Sequence, residues 1–429
     1  RSTPGLRFSS HRRCGSVGRT SGRDLRFRVD AGANMWHIPD MRPRSTALAG
    51  RSVRVAARAG GRWRGWAAAV GVTLGALAGG VVRAEPRFDL FGLATNTAGV
   101  SSDGRTVAGQ ELIEERKVPF VWDAQGGRRN ITEAQIPFHR RIYGLSGDGG
   151  TIVGFRSVTE SSSSRQRGYL YNHRTGVRTD VEGEASGYYV NAMLKAVSHD
   201  GGTAVGMLFG LDTQAAPQPI VWTEEGGRRR LDVGRYIFGE ARSVSADGSI
   251  AVGQVFDFER TVAAVWTTLD QRLTVLPGLS GQSGSASAYA VSADGSTVVG
   301  NASQQMVMWR NGQITALGAI DGREGLANAV NADGSVICGY NNSPDGASIW
   351  TQATGLMRFS DYVRQAGIVL PEGMAITRVT GISADGQTFL GWGRFSDGVT
   401  NGIVISIPSP GAAVVGVCGL FAIRRRRSR

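Results

Sequence analysis

Seven aspartates are the first candidates for chemistry in this chain: Asp103, Asp148, Asp200, Asp247, Asp294, Asp333 and Asp385. Each is followed by Gly, and six of them stand two residues after a Ser, with Asn331 in that place before Asp333. A carboxylate in this setting bonds its own backbone while the Gly takes a positive φ, which is the chemistry of a turn. One carboxylate per repeat also spreads the acids around an array, whereas acid–base catalysis needs two close together. We therefore read these seven as structural turn residues. Nucleophilic catalysis needs a Ser or Cys beside a positioned His. Residues 85–407 hold His139, His173 and His199 and no Gly-x-Ser-x-Gly elbow, so the histidines read as loop residues. Cys338 lies in a strand where most repeats carry Val or Ala, and it reads as a small core residue. Cys14 and Cys418 lie near the ends, there is no Cys-x-x-Cys pair, and no Asp-x-Asp-x-Asp-Gly loop accompanies the pairs Glu114-Glu115 and Glu224-Glu225. The reading leans against an enzyme and assigns no catalytic residue, metal ligand or cofactor.

The elements that carry these turns repeat. The phrase is an apolar residue, Ser or Asn, any residue, Asp-Gly, then an apolar strand ending in Gly, as in Val291-Ser292-Ala293-Asp294-Gly295 through Gly300. The aspartates are separated by 45, 52, 47, 47, 39 and 52 residues. Some 15–23 residues after each Asp comes a second strand signal, marked by Trp122, Tyr171, Trp222, Trp266, Trp309 and Trp350, with Val404 in the last repeat. Their regular place suits packing between sheets better than a sugar-stacking platform. Each unit has four short strands, which cannot bury both faces alone. A period of 40–50 residues with four strands predicts an all-β, seven-bladed β-propeller. The seventh unit ends at its third strand, 402–407. The apolar segment 88–93 before the first unit is the missing fourth strand and is expected to close the ring, leaving no open sheet edge. Binding is expected on insertions that break the repeat, at 155–168, 187–194, 208–219 and 256–261.

Composition agrees. The 429 residues include 62 Gly and only 19% charged residues, a profile of many turns. The net charge of +13 sits at the ends. Residues 1–84 carry 16 Arg against 3 acids, and 408–429 carry 5 Arg and no acid, leaving 85–407 with 27 basic and 32 acidic side chains. A region with a balance of −5 has no general attraction for phosphate, so no nucleic-acid partner is expected. The uncharged run 65–82 follows basic residues and precedes Val82-Arg83-Ala84, which predicts a signal peptide over 41–84 cleaved after Ala84. Residues 1–40 read as a doubtful upstream segment. The tail 408–429, with an apolar run and then Arg424 to Arg427, reads as a sorting or anchor signal that retains the chain transiently at the membrane.

The Asp-Gly and Trp units across 86–407 resemble the HAF-repeat extracellular proteins of bacteria. The segment from Phe359 to Pro408, with Ser360-Asp361-Tyr362-Val363-Arg364-Gln365-Ala366-Gly367 reading as a capped helix before the last repeat, is the part most like them. Pro408-Ser409-Pro410 stands where the PEP-CTERM sorting tail of such planctomycete-type surface proteins has Pro-Glu-Pro. The resemblance implies a secreted or cell-surface location, a possible sorting enzyme acting on the tail, and no assigned reaction. The expectation is a non-catalytic binding or structural module at the cell surface or in extracellular matrix, for an unknown protein or polysaccharide ligand. The alternative is a polysaccharide-active hydrolase or lyase using the propeller channel. A cluster of carboxylates at one channel mouth would favour the enzyme, and a lining of Gly, Ala and Ser the module.

Overall fold

Each Asp-Gly phrase closes a hairpin between the first and second strands of a four-stranded antiparallel sheet. The structure, a computed structural model, describes residues 86–408 apart from 115, 124, 161–162, 185–188, 211–215 and 280–283. The proposed signal peptide with Ala84, and the tail from 409, lie outside the described residues. The turn at Asp294 shows the local logic. Ser292 Oγ donates to Asp294 Oδ1 at 2.6 Å, the Ser296 N–H donates to the same oxygen at 3.0 Å, and the Thr297 N–H donates to Ser292 Oγ at 2.9 Å. Gly295 supplies φ 76°, a conformation that costs a residue without Cβ little. Asp103, Asp148, Asp200, Asp247 and Asp385 accept from their own Ser hydroxyls in the same way. In the sixth repeat the Asn331 amide oxygen takes over the hydroxyl's role, accepting from the Val336 N–H at 3.0 Å.

Five of the sheets have four strands, and a sixth has seven because one strand serves two blades. That strand is β1 (Arg87–Val100). Its first part pairs with Thr400–Ser406, Arg87 opposite Ser406 and Leu90 opposite Ile403, and so becomes the outer strand of blade seven. Its second part pairs with Thr106–Ile113 and begins blade one. Seven four-stranded blades thus close a ring: the protein is an all-β seven-bladed propeller, and the strand expected to complete blade seven does so.

The core lies between neighbouring blades. Val205 and Val221 of blade three, for example, pack with Ala241, Ala251 and Trp266 of blade four. Tyr171, Trp266 and Trp309 are fully buried in their third strands, while Trp122, Trp222 and Trp350 are half-buried. The indole N–H groups of Trp266 and Trp309 donate to the carbonyls of Asp232 and Pro277 at 2.6 and 2.8 Å, as a buried indole requires. Cys338 is buried in a second strand, its thiol pushed up by burial, among Ile349, Phe359 and Ile376.

Three expectations need correction. The short helix α1 (Phe359–Gln365) has no side-chain cap: Ser360 lies inside it and donates to Asp345 Oδ2 at 2.6 Å, while Asp345 Oδ1 accepts from the Ile376 N–H at 3.2 Å. Asp345 therefore ties α1 to blade seven, and Phe359 and Val363 fill the apolar space beside Phe389. The insertion at 155–168 is a regular extension of a hairpin, its strands paired from Thr151 opposite Asn172 to Glu160 opposite Ser163. Most of 187–194 that is described belongs to the scaffold, with Ala192 and Leu194 buried in the first strand of blade three.

Candidate functional site

Two rings of residues lie on the first strands, which pack side by side around the axis of the propeller. The outer ring is made by the turns themselves. The residue before each turn Asp hydrogen-bonds through its backbone to the next blade: Ser102 N–H to Gly147 O, His199 to Ala246, Ala246 to Ala293, Ala293 to Ala332, Ala332 to Ala384, and Ala384 back to Ser102, at 2.7–3.2 Å. The circle is completed by the Asp148 N–H, which donates to His199 O at 2.8 Å. This rim carries the small residues Ser102, Gly147, Ala246, Ala293, Ala332 and Ala384, with His199 as the exception. Ser102 Oγ and His199 Nδ1 are 3.1 Å apart over Gly147, whose absent Cβ would lie 2.3 Å from the ring nitrogen. A Ser–His contact is the start of a nucleophilic pair, yet no hydrogen bond orients His199 Nε2 among the described residues.

The inner ring was not anticipated. Every first strand carries a β-bulge at the same place, five residues before the turn Asp. The unpaired residues are Ala98, Tyr143, Lys195, Arg242, Tyr289, Asn328 and Thr380. A bulge bends the strand and re-aims one side chain, so seven side chains of six residue types stand at one geometric position. The Gly that ends each repeat phrase makes the bulge possible. A Cβ on Gly253 would lie 1.9 Å from the carbonyl oxygen of Glu240, and on Gly300 1.9 Å from that of Ser287.

The collar is polar, and its groups converge from several blades. Glu240 is paired with Lys195 and, at 3.2 Å, with Arg242. Burial opposes its charge, but Arg242 and Lys195 outweigh that and hold the carboxyl down to about 2. Burial likewise works against the Arg242 cation, and Glu240 more than offsets it, so the guanidinium sits above its ordinary range. Arg242 lies over the Tyr289 ring at 4.3 Å, Lys195 and Arg141 over Tyr143 at 5.2 and 5.1 Å, and Arg378 over Tyr340 at 4.3 Å and Trp392 at 4.8 Å. Such stacks stabilise a desolvated cation. Arg378 is nonetheless lowered, chiefly by burial, with the Arg141 cation two blades away adding repulsion. Four buried polar atoms here have no hydrogen-bond partner: Arg141 Nε, Arg242 Nε, Tyr289 Oη and Asn328 Oδ1. Buried polar atoms are nearly always satisfied, so such a group asks for an explanation.

The other sequence candidates fall elsewhere. The turn aspartates line the rim one per blade and are brought together nowhere. Their hydrogen bonds hold Asp200, Asp247, Asp294 and Asp333 below the ordinary carboxylate range; at Asp103 burial pushes the other way and Ser101 and Arg105 outweigh it. His139 is not a loop residue. It opens the first strand of blade two, with Nε2 3.3 Å from Gln110 Oε1 and Nδ1 3.2 Å from Tyr169 Oη, and burial lowers its pKa to about 4. His173 lies on a turn with Nε2 2.8 Å from Gly149 O. Among the described residues no group of three or more His, Cys, Asp and Glu side chains is placed to hold a metal ion.

Comparison with known proteins adds the fold and nothing finer. No family model matches the chain, and no curated protein is similar to it. Solved structures are similar in architecture. The propeller domain of Myceliophteria thermophila Cps50 (Swd1) matches with a TM-score of 0.46 at 12% identity over 75% of this chain and 100% of that one. An oligogalacturonate lyase in complex with manganese matches at 0.47 and 12%, covering 76% and 97%. A chain of a mitotic checkpoint complex matches at 0.45 and 13%, covering 85% and 99%. Their functions differ widely, as expected of a fold shared by unrelated activities.

Proposed function

We propose that the protein is an exported, non-catalytic propeller that acts as a binding module at the cell surface or in extracellular matrix and receives its ligand at the collar. The observation that carries this reading is a fixed backbone position, repeated seven times by bulges, that presents six residue types, with buried polar atoms left unpaired at and beside it. A rigid frame with varied side chains on it is the arrangement of recognition. The alternative, a polysaccharide hydrolase or lyase, calls for an acid poised to exchange protons near neutrality. Glu240 is the carboxylate paired with Lys195 and Arg242, and that pairing holds its pKa down to about 2. Export rests on the signal-like segment 41–84 and retention on the tail 408–429, which is similar to a PEP-CTERM sorting tail, and the likeness of 86–407 to HAF-repeat extracellular proteins supports the same location. The test is a glycan and polysaccharide array with mass spectrometry of the bound material. Retention of an unaltered ligand supports the module; chain-shortened or unsaturated products overturn it.

A further inference from the structure

We infer that the collar is an oxyanion site, built to take a carboxylate or sulfate group of an acidic glycan. This rests on the collar being where the ligand binds. The chemistry lies in the donors. Arg141 Nε and Arg242 Nε carry N–H groups that are buried and unpaired, and Tyr289 Oη is a third such group that can donate. An oxyanion can accept from donors of this kind, and hydrogen bonds from a guanidinium to an anion are the strong kind. Asn328 supplies a carboxamide at the next bulge, able to turn its N–H₂ group to the same ligand.

Electrostatics points the same way. Arg141, Lys195, Arg242 and Arg378 come from four different blades, and Arg141 and Arg378 are near enough to repel each other. Folding a set of desolvated cations around an axis is unfavourable unless something offsets it. Glu240 serves Lys195 and Arg242 together, and the faces of Tyr143, Tyr289, Tyr340 and Trp392 cover the guanidinium planes. A cationic ligand would meet repulsion. A neutral one would leave the unpaired donors without an anion.

Tyr289→Phe is the mildest test, because it removes one buried oxygen and keeps the ring over which Arg242 lies. The full chain and its variants Y289F and R141Q would be titrated calorimetrically with alginate oligosaccharides, dextran sulfate, neutral dextran, and sodium acetate and sodium sulfate. The expected result is binding of alginate or dextran sulfate, none of neutral dextran, and a loss of about tenfold in each variant, the size of one charge-assisted hydrogen bond. The melting temperature of Y289F should stay within a few degrees of the parent's, which separates lost binding from lost folding. Free acetate or sulfate binding at the same affinity as the polymers would overturn the glycan as the source of the oxyanion. Binding of neutral dextran that both variants retain overturns the oxyanion site and leaves the module intact. Acidic-glycan binding undiminished in both variants does the same. No binding of any glycan overturns this inference together with a glycan ligand for the module.

Discussion

The two rings on the first strands are built by opposite rules. At the rim the side chains are nearly the same in every blade, and each Asp serves its own turn while the backbone joins one blade to the next. At the collar, a short way along the same strands, the backbone is the same in every blade and the side chains run from Ala98 to Arg242. Where the side chain recurs, it holds the frame. Where only the geometry recurs, the side chain is free to serve something other than folding.

The sharpest way to break this comparison is to open the ring on which both depend. Deleting residues 86–93 removes the outer strand of blade seven and exposes the edge at Thr400–Ser406. We expect a fall in melting temperature of more than about 10 °C, larger than any single substitution below, given that 1 kcal/mol corresponds to only a few degrees in a domain of this size. An unchanged melting temperature would mean that closure through β1 contributes nothing. Next comes Gly253→Ala, which sets a Cβ against the Glu240 carbonyl and must distort the bulge. We expect about 3 kcal/mol or more of destabilisation by urea unfolding, the scale of forced overpacking. Asp294→Ala leaves the Ser296 N–H and the Ser292 hydroxyl without their acceptor at an exposed turn. A loss of about 1 kcal/mol is expected, as for a helix-capping side chain. Asn328→Thr copies at one bulge the residue that blade seven carries at Thr380, and stability should change by less than about 0.5 kcal/mol. If the Asn328 change costs as much as the Asp294 change, the distinction between frame and collar fails.

A pH series sharpens the comparison further. His139 has a folded pKa of about 4 against an ordinary 6.5, so the unfolded chain binds its proton first. The stability associated with neutral His139 is complete above 6.5 and is lost as pH falls from 6.5 to about 4. His139→Gln should flatten the melting temperature across that window; an unchanged slope would relieve His139 of the role. Below about 3.8 the turn carboxylates take over. Asp103, Asp200, Asp247, Asp294 and Asp333 are depressed in the fold, so their contribution is present above that value and fades as acid is added.

The frame was legible in the sequence because its side chains repeat. Asp-Gly at a spacing of 39 to 52 residues gave the turns, Trp and Tyr at the third strand gave the sheet packing, and 88–93 gave the closure. The collar was hidden for the reason that makes it interesting. Only Tyr143 and Tyr289 share a residue type, while Ala98, Lys195, Arg242, Asn328 and Thr380 all differ, and a search for repeated letters passes over them. Their signal was indirect: the Gly six residues after each Asp reads as close approach of neighbouring sheets, whereas it makes room for the carbonyl that precedes a bulge. Counting five residues back from each Asp would have found all seven. His139 was missed because nothing in the sequence near it announces Gln110 and Tyr169, which come from another blade and a later strand.

The way β1 ends has a mechanical consequence. Arg87 and Ser406 face each other at the same end of an antiparallel ladder, so a pull on the two ends of the propeller works on one residue pair at a time. Such a ladder unzips instead of shearing, and it gives way at low force. Held by one end, the ring keeps its clasp unloaded; held by both, it opens at the seam between its first and last strands.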